Sequence, residues 1–413
     1  MISRTERRHS GAGELPVRKH RPDHWILVLV LILMGIGLIL IYSIGPALAA
    51  QGGNVSANYF VGRQFVDILI GLVAFFVAFK VRLTDWLKYQ KPLLIISFLM
   101  ILATLVMGGI GNRWIQIGFL SFQPVEFVKF IFMILGAFYL ANFVKQHEHF
   151  SLKKMKIELA VVVAFAITII FLQKDLGSTV VLLMMLFAMI FIAGIKMKGF
   201  IIAVLGVGFL ITVAISSTPY RRERLLNFLQ PERACSASGY QQCQALVGVG
   251  SGGLLGLGVG NSVQDFGYLP ESTNDSIFAV YAEKFGFIGC IVLLSIYAAL
   301  LFRIIRIIRY APNRAYQLVA VSAFTWIAFQ AAFNISAMIG LAPLKGIPLP
   351  FISYGGTSMI FTMAAVGIVF QISSVTNIRQ NRKGFEDERS PYESHDDRRG
   401  NSRPRYTITR SSI

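Results

Sequence analysis

The stretch from Trp25 to Ile44, WILVLVLILMGIGLILIYSI, carries no charged residue. A helix rises about 1.5 Å per residue, so these residues can cross the roughly 30 Å apolar core of a bilayer. The segment Ala47-Leu48-Ala49 resembles a signal-peptidase site, but the apolar run is longer than that of a signal peptide and further runs follow it. We therefore predict an uncleaved first transmembrane helix.

Apolar runs of roughly 16 to 25 residues recur along the chain. The chain has 413 residues, of which 55% are hydrophobic and 15% charged, and its mean hydropathy is +0.62. The predicted fold class is all-α, a polytopic membrane protein of about ten transmembrane helices. The predicted spans are residues 25–44, 64–79, 92–110, 125–144, 157–173, 178–194, 200–217, 276–302, 316–341 and 357–375.

Lysine and arginine residues lie mainly in the tails and in the short loops after the even-numbered spans, as Lys80, Lys153 and Arg306 do. By the positive-inside rule these loops and both termini are cytoplasmic. The one long loop, residues 218–275, is then extracytoplasmic, because charge has little influence on the orientation of long loops. Asp275, at the end of that loop, is predicted on the outer face.

The net charge of +18 is explained by the basic residues of the tails and loops that set the orientation in the membrane. The sequence contains no nucleic-acid recognition module. We predict no nucleic-acid binding. Residues 1–24 and 379–413 are rich in polar and charged residues and lack an apolar pattern, so both are predicted to be disordered cytoplasmic tails. The transmembrane domain is predicted at residues 25–378.

The three cysteines are Cys235 and Cys243 in the long outer loop and Cys290 in an apolar span. An oxidising compartment would permit a disulfide between the first two, and their spacing neither requires nor excludes it. Cys290 is interpreted as a packing residue. The few histidines do not combine with cysteines into a metal-ligand cluster.

Ionisable residues in or beside the apolar spans are informative, since each costs about 2.5 to 3.5 kcal/mol at the bilayer centre unless it has a partner or a polar cavity. Glu126 and Lys129 share one helix face and are expected to form an ion pair, whose role is structural or functional. Asp175 is expected to cap the following helix or to line a cavity. The predicted lining of one outward-facing cavity is Arg113, Glu126, Lys129, Asp175, Asp275, Glu283 and Lys345.

Two stretches rich in glycine or proline complete this cavity. Residues 239–286 read GYQQCQALVGVGSGGLLGLGVGNSVQDFGYLPESTNDSIFAVYAEKFG. Their glycines lack the context of a nucleotide-binding loop, so we expect them to permit close backbone approach. Residues 344–358 contain too many helix breakers and polar groups to face lipid, which predicts a cavity wall. A transporter and an enzyme for a lipid-linked substrate both fit, and the long outer loop favours the enzyme.

Four motifs carry a resemblance to a known family. They are GNRWIQIGFLSFQPVEFVKF (111–130), QKDLGST (173–179), the stretch 239–286 and PLKGIPLPFISYGGTSM (343–359). In this order, over about residues 25–378, the chain resembles the SEDS family (shape, elongation, division and sporulation), the peptidoglycan glycosyltransferases of FtsW/RodA type. Lys345-Gly346 is similar to the division-type form, FtsW, where the elongation-type form, RodA, usually has Thr-Gly.

The resemblance implies a glycosyltransferase that polymerises lipid II at the outer face of the cytoplasmic membrane during cell division. LPESTNDSIFA (269–279) matches the family's LPExxxDFIFA, which implies Asp275 as the general base of an inverting transfer. Arg113, Lys129 and Lys345 are expected to stabilise the diphosphate, and a divalent cation, Mg²⁺ or Mn²⁺, is the one optional cofactor. The predicted substrate-binding residues are Arg113, Gln123, Glu126, Lys129, Asp175, Tyr240, Gln241, Glu283, Lys345 and Ser353.

The sequence departs from the family pattern around these acids. The usual His-Thr-Asp-Phe reads Thr273-Asn274-Asp275-Ser276, and the usual Glu-Glu reads Glu283-Lys284, so each acid is retained while its neighbours differ. The resemblance implies a class B penicillin-binding protein, a transpeptidase, and other division proteins as partners. The alternatives are a lipid II flippase, an elongation-type polymerase and a non-catalytic division scaffold.

Overall fold

The computed structural model describes residues 21–52, 56–107, 113–117, 120–146, 173, 175–194, 197–216, 219–230, 235, 239–264 and 268–376. The helices are α1 (His24–Gly52), α2 (Ala57–Lys80), α3 (Asp85–Lys88), α4 (Gln90–Met107), α5 (Pro124–Gln146), α6 (Leu176–Ile192), α7 (Met197–Ser216), α8 (Pro219–Leu229), α9 (Tyr240–Ser251), α10 (Ile277–Arg309), α11 (Arg314–Met338) and α12 (Gly356–Ser373), and the strands are β1 (Ile115–Ile117) and β2 (Leu120–Phe122).

Six helices of the described residues are long and apolar enough to cross a membrane, namely α1, α2, α5, α10, α11 and α12. Shorter apolar helices lie at Gln90–Thr104 and Leu176–Ile192. The predicted helical membrane fold is therefore confirmed, while the number of about ten spans stays a prediction. The predicted span 157–173 lies outside the described residues apart from Gln173, as do the C-terminal tail and most of the N-terminal tail.

Helix α2 packs in parallel against α12, because Asp67 lies beside Gly356 and Phe75 beside Gly367. A Cβ at Gly367 would lie 2.4 Å from the Phe75 carbonyl oxygen, so only glycine lets the two backbones meet there. Helix α11 packs against α5, α6 and α10, and its Trp326 side chain is completely buried. These contacts surround α11 with protein rather than lipid.

A short hairpin precedes α5 and is the one departure from an all-helical chain among the described residues. Its strands pair antiparallel, with Ile115 opposite Phe122. Pro124 then occupies the first position of α5. An N–H at this position has no acceptor within the helix, so proline, which lacks it, loses no hydrogen bond. At the start of α6, the Asp175 carboxylate accepts hydrogen bonds from the Ser178 N–H (3.0 Å) and hydroxyl (2.8 Å). The expected capping role of Asp175 is thus observed.

Helix α10 is broken near its beginning. Gly286 has φ 64° and ψ −166°, a conformation that side chains disfavour. The sequence predicts one continuous apolar span at 276–302. The structure instead has a break at Gly286, and the helix extends to Arg309. A helix break exposes backbone groups that need new partners inside a membrane protein.

The glycine-rich loop supplies those partners. The N–H groups of Leu257 and Gly258 donate to the carbonyl oxygens of Glu283 (2.9 Å) and Lys284 (3.0 Å). On the other side of the break, Phe287 N–H donates to the Gly253 carbonyl oxygen (2.9 Å). A Cβ at Gly256 would lie 2.1 Å from the Lys284 carbonyl oxygen. The predicted close backbone approach is therefore observed, with another segment of the chain as the partner.

Cys235 and Cys243 form a disulfide that joins the preceding loop to α9. The sequence left this pairing open, and the structure decides in its favour. Because α9 also carries Gln241, which bonds to Ser276, the crosslink ties the loop to a helix that contacts the Asp275 turn. Cys290 lies half-buried in α10, in agreement with a packing role.

Candidate active site

The backbone around Asp275 is held by the segment 344–354 and by α11. Tyr354 N–H donates to the Thr273 carbonyl oxygen (2.8 Å), and the Ser353 hydroxyl donates to the Asn274 carbonyl oxygen (2.6 Å). The Asn334 side-chain amide donates to the Asp275 carbonyl oxygen (2.7 Å) and to that of Ile347 (2.8 Å). Asp275 is therefore fixed from two sides before any ligand binds.

The two oxygens of the Asp275 carboxyl group have different surroundings. Oδ1 is buried and has no hydrogen-bond partner. Oδ2 lies 3.8 Å from the position that a Cβ would take at Gly346, a residue exposed to solvent. Burial raises the pKa of this carboxyl to about 7 and the Glu271 charge adds to the rise, while hydrogen bonds from the Asp275 backbone and the Gln241 side chain and the Arg224 charge oppose it. A carboxyl group in this setting changes protonation near neutral pH.

Of the two predicted residues of α9, Gln241 lies near this carboxyl group. The Gln241 side-chain amide donates to the Ser276 hydroxyl (3.0 Å), and Tyr240 is half-buried at the helix start. Ser276 occupies the place where the family pattern has an aromatic residue. In this chain the hydroxyl at that place gives Gln241 a partner, so the departure tightens the contact between α9 and the Asp275 turn.

Two residues near Asp275 were not predicted. The Arg224 guanidinium on α8 donates to the Leu344 carbonyl oxygen (3.2 Å) and acts electrostatically on Asp275. In the sequence, the arginines of the long loop bore only on orientation, so Arg224 was missed. Asn334 is 98% buried within a mostly apolar helix, and a polar amide in such a helix was the available signal. Lys345, which was predicted, is half-buried in the same segment as Leu344.

A second group of predicted residues surrounds Asp175. The Gln123 side-chain amide donates to Asp175 Oδ2 (3.1 Å), and the Arg113 guanidinium donates to the Gln173 carbonyl oxygen (3.1 Å). The Gln123 N–H donates to the Thr357 hydroxyl (3.3 Å), at the start of α12. These bonds join the hairpin, α6 and α12 at the end of the helices where the segment 344–354 also lies.

Ile347 connects the two groups. Its carbonyl oxygen accepts from Asn334, while its side chain packs on Gly177, where a Cβ would approach it to 2.9 Å. The same position at Gly177 is 3.5 Å from the Asp175 carboxylate. The segment 344–354 therefore lies beside both Asp275 and Asp175, while its role as the wall of a cavity stays a prediction.

Glu126 and Lys129 form the expected ion pair, with 2.7 Å between Lys129 Nζ and Glu126 Oε1. Both side chains are completely buried, and Lys129 Nζ lies 5.0 Å from the centre of the Trp326 ring. Glu126 Oε2 is buried without a hydrogen-bond partner. The pair thus lies inside the helix bundle, between α5 and α11, rather than at the surface next to Gly346.

Two predicted substrate-binding residues have their polar groups engaged by the protein. The Glu283 carboxylate accepts from the Ser262 hydroxyl and from the N–H groups of Val263 (3.0 Å) and Gln264 (3.3 Å). The Ser353 hydroxyl accepts from Leu349 N–H (2.8 Å) in addition to its bond with the Asn274 carbonyl oxygen. These contacts give both residues a role in holding loops in place.

The residues near Asp275 fit a divalent cation only in part. Within the described part of the chain, no group of three or more His, Cys, Asp or Glu side chains is close enough to hold a metal. The nearby acid Glu271 uses Oε2 to accept a bond from the Asn274 side chain (2.6 Å). Mg²⁺ often binds one or two carboxylates together with substrate phosphates and water. A cation at Asp275 would therefore depend on oxygens from the substrate.

Comparison with known proteins identifies the family. The model of the cell cycle protein family FtsW/RodA/SpoVE matches residues 23–378. The chain belongs to this family. A relative from Coxiella burnetii, named probable peptidoglycan glycosyltransferase FtsW, is 37% identical, and the match covers 86% of this chain and 96% of the relative. The family predicted from the four motifs is therefore confirmed.

Solved structures of this FtsW/RodA/SpoVE family share the fold. A chain of a peptidoglycan synthase complex that coordinates polymerization and crosslinking superposes with a TM-score of 0.68 at 24% identity, covering 85% of this chain and 97% of its own. The crystal structure of the rod shape determining protein RodA from Thermus thermophilus gives a TM-score of 0.60 at 22% identity, covering 85% and 96%. At these identities the likeness supports the fold alone.

Proposed function

We propose that this protein is a peptidoglycan glycosyltransferase that polymerises lipid II, with Asp275 as the general base. One observation carries the proposal: a fixed carboxyl group with one unpaired buried oxygen and one oxygen beside the exposed Gly346. Its pKa of about 7 suits a group that must take up and release a proton at neutral pH. The enzyme class is the one named for the Coxiella burnetii relative.

The reaction needs a base because the acceptor sugar is an alcohol. The 4-hydroxyl oxygen of the acceptor attacks the anomeric carbon of the donor, a new glycosidic bond forms, and the bond from that carbon to the diphosphate oxygen breaks. The hydroxyl proton passes to the Asp275 carboxylate as the attack proceeds. Attack opposite the leaving group inverts the configuration at the anomeric carbon.

Positive side chains near Asp275 would stabilise the diphosphate as it gains charge. Arg224 and Lys345 are the best candidates, since both belong to the surroundings of Leu344 and Asp275. Arg113 is a third candidate from the neighbouring group around Asp175. Lys129 is less suitable than predicted, because it is buried against Glu126 and Trp326.

Other predicted residues receive supporting roles in this proposal. Gln123, Asp175, Tyr240 and Gln241 shape the pocket on either side of the segment 344–354, and Glu283 and Ser353 hold its walls. A divalent cation, Mg²⁺ or Mn²⁺, would bind the diphosphate oxygens and neutralise part of their charge. No step of the proposed transfer depends on it.

We also propose a setting for the reaction. The chain is a multi-pass membrane protein, and the proposed location is the cytoplasmic membrane with Asp275 on the outer face, as the distribution of basic loops predicts. The proposed partner is a single-span class B penicillin-binding protein, a transpeptidase, together with other division proteins. A division role is favoured by Lys345-Gly346 and by the FtsW name of the Coxiella burnetii relative.

The test separates polymerisation from translocation. Purified protein in liposomes receives lipid II, and glycan chain synthesis and lipid II movement across the bilayer are both measured, with the partner transpeptidase titrated in. Asp275→Asn is expected to abolish chain synthesis, and Glu271→Gln, a change of the neighbouring exposed acid, to retain it. Unchanged synthesis by Asp275→Asn would refute the base role. Translocation by the wild type without synthesis would favour the flippase.

A further inference from the structure

Helix α11 carries a row of buried polar residues on one face. Ser322, Trp326, Gln330 and Asn334 recur at every fourth position, and none is more than 2% exposed. Each has a buried oxygen or nitrogen atom without a hydrogen-bond partner. Residues four apart lie one above the other on a helix. We call these four residues the α11 polar strip.

Helix α5 faces the strip in the opposite direction. Lys129 lies over the Trp326 ring, and further along Phe138 lies 6.3 Å from Tyr316, so the two helices are antiparallel. Glu126 is one turn from Lys129 and therefore lies level with Gln330. Glu126 Oε2 and Gln330 Oε1 are both acceptors without donors. Two unpaired acceptors on facing turns need a donor between them.

The strip ends at the candidate active site. Asn334 donates from its amide nitrogen to the Asp275 carbonyl oxygen, while Asn334 Oδ1 and Asp275 Oδ1 have no partner. Six of the ten buried side-chain atoms without a partner in the described residues belong to the strip, Glu126 and Asp275. Four of these six are carboxyl or amide oxygens, which only accept hydrogen bonds.

Water supplies the missing donors. Successive strip positions rise by about 6 Å, a distance that one water molecule spans with two hydrogen bonds of about 2.8 Å. Buried waters in proteins bind at groups of otherwise unsatisfied polar atoms. An ion is less suitable, because Trp326 contributes a donor and Lys129 already supplies a positive charge.

We propose that the α11 polar strip binds a file of water molecules that joins the carboxyl groups of Asp275 and Glu126. The presence of these water molecules is inferred from the structure alone, whereas their role in proton transfer rests on the proposed function. The proton that leaves the attacking hydroxyl binds Asp275, passes to the first water, and each water releases one proton onward until Glu126 Oε2 binds it. Transfer back to Asp275, followed by loss of the proton from Asp275 to the outer solution, restores both carboxylates.

The charged groups around the two ends define what a pH experiment will report. Glu271, Arg224 and Lys345 surround Asp275 on its own turn, α8 and the segment 344–354. Lys129 on α5 and Asp175 before α6 act on Glu126. Helices α11 and α12 add no ionisable side chain at this level.

Hydroxyl-radical footprinting of the full chain in nanodiscs tests the water site. X-ray radiolysis in H₂¹⁸O labels buried side chains only where bound water lies next to them. Each labelling rate is divided by the reactivity of the free amino acid. On this scale Trp326 is expected to gain label, while Phe75, which is equally buried between α2 and α12, is not. Gln330→Leu, which removes one acceptor, is expected to lose the Trp326 label.

Thr362→Val is the matched control, since Thr362 is a buried polar residue that bonds only within its own helix. It is expected to leave the Trp326 label unchanged. A wild-type Trp326 that stays unlabelled like Phe75, or an undiminished label in Gln330→Leu, overturns the water file. Should Gln330→Leu fail to fold, the wild-type comparison of Trp326 with Phe75 still decides.

The pH profile of polymerisation tests the proton connection. Gln330→Leu is expected to shift the acidic limb of kcat/KM by about half a pH unit, and Gln330→Asn, which keeps an amide, to shift it less. The charge-balanced double variant Glu126→Gln with Lys129→Met is expected to shift it to lower pH. A uniform loss of rate without a shift refutes the connection. If Asp275→Asn is fully active, the base proposal fails while the footprint still decides the water site.

Discussion

Asp275 and Glu283 are two acids two helical turns apart at the broken start of α10, and both were predicted to line the cavity. Glu283 accepts three hydrogen bonds from the loop 262–264 and is 1% exposed. Asp275 has a buried oxygen without any donor and a second oxygen beside exposed Gly346. An acid whose acceptor positions are filled stabilises a fold, while an acid with positions left open is available for chemistry.

The largest expected effect is the loss of activity on changing Asp275. Asp275→Asn is expected to lower kcat for glycan polymerisation by about 10²- to 10⁴-fold, the usual contribution of a general base. The melting temperature of the variant should not fall, because Asp275 Oδ1 makes no hydrogen bond that the change could remove and the asparagine oxygen can still accept the bond from Gln241. A variant that retains more than about a tenth of the wild-type rate would contradict the contrast between the two acids.

Glu283, whose acceptor positions are filled, depends on the glycine-rich loop for its hydrogen bonds. The second prediction concerns this loop. Gly256→Ala is expected to destabilise the protein by about 3 kcal/mol, since its φ is 82° and a Cβ would lie 2.1 Å from the Lys284 carbonyl oxygen. Gly250→Ala is the matched control, because a Cβ there meets nothing within 4 Å. Thermal unfolding in detergent checks both variants, and equal melting temperatures would show that the loop does not need the close approach.

The third prediction concerns Glu283 itself. Glu283→Gln keeps the size of the side chain but turns one acceptor into a donor that faces either the Val263 N–H or the Gln264 N–H. We expect a loss of about 2 kcal/mol in stability, with polymerisation per folded molecule changed less than about threefold. Activity lost in proportion to that of Asp275→Asn, without a lower melting temperature, would give Glu283 a chemical role instead.

The sequence was sufficient where one segment decides its own structure. Residues 25–44 lie within α1, because an uncharged apolar run of this length is enough for a membrane-spanning helix. Asp175 caps α6 because its partner, Ser178, is three residues away. Asp275 was likewise found from a local motif, at the point where the long loop meets α10.

Features that depend on distant partners were missed or left open. The break at Gly286 follows Glu283 and Lys284 in a mostly apolar run, and its replacement hydrogen bonds come from a loop about thirty residues earlier. Arg224 and Asn334 bind backbone carbonyl oxygens of Leu344 and Ile347, which no side-chain pattern reveals. The cysteine spacing allowed the disulfide without requiring it, so only the folded loop decides the pairing.

The smallest expected effect is a shift in the pH dependence of kcat/KM, which tests the contrast between Asp275 and Glu283. Burial raises the Asp275 pKa to about 7, so kcat/KM should fall about tenfold per pH unit below that value and level off above it. Glu271→Gln removes a negative charge and should move this limb to lower pH by about half a unit, while Arg224→Gln removes a positive charge and should move it to higher pH. Rate profiles between pH 5 and 9 check both shifts.

The same pKa makes a prediction about stability that does not require activity. Because the folded protein holds the Asp275 proton more tightly than the unfolded chain, this group stabilises the fold fully below about pH 4 and loses that contribution as pH rises through about 7. Asp275→Asn, which cannot ionise, should therefore gain in melting temperature relative to the wild type between pH 5 and pH 8. Parallel melting curves for Asp275→Asn and the wild type at both pH values would mean that the carboxyl at Asp275 is not perturbed, and the distinction between the two acids would then rest on their hydrogen bonds alone.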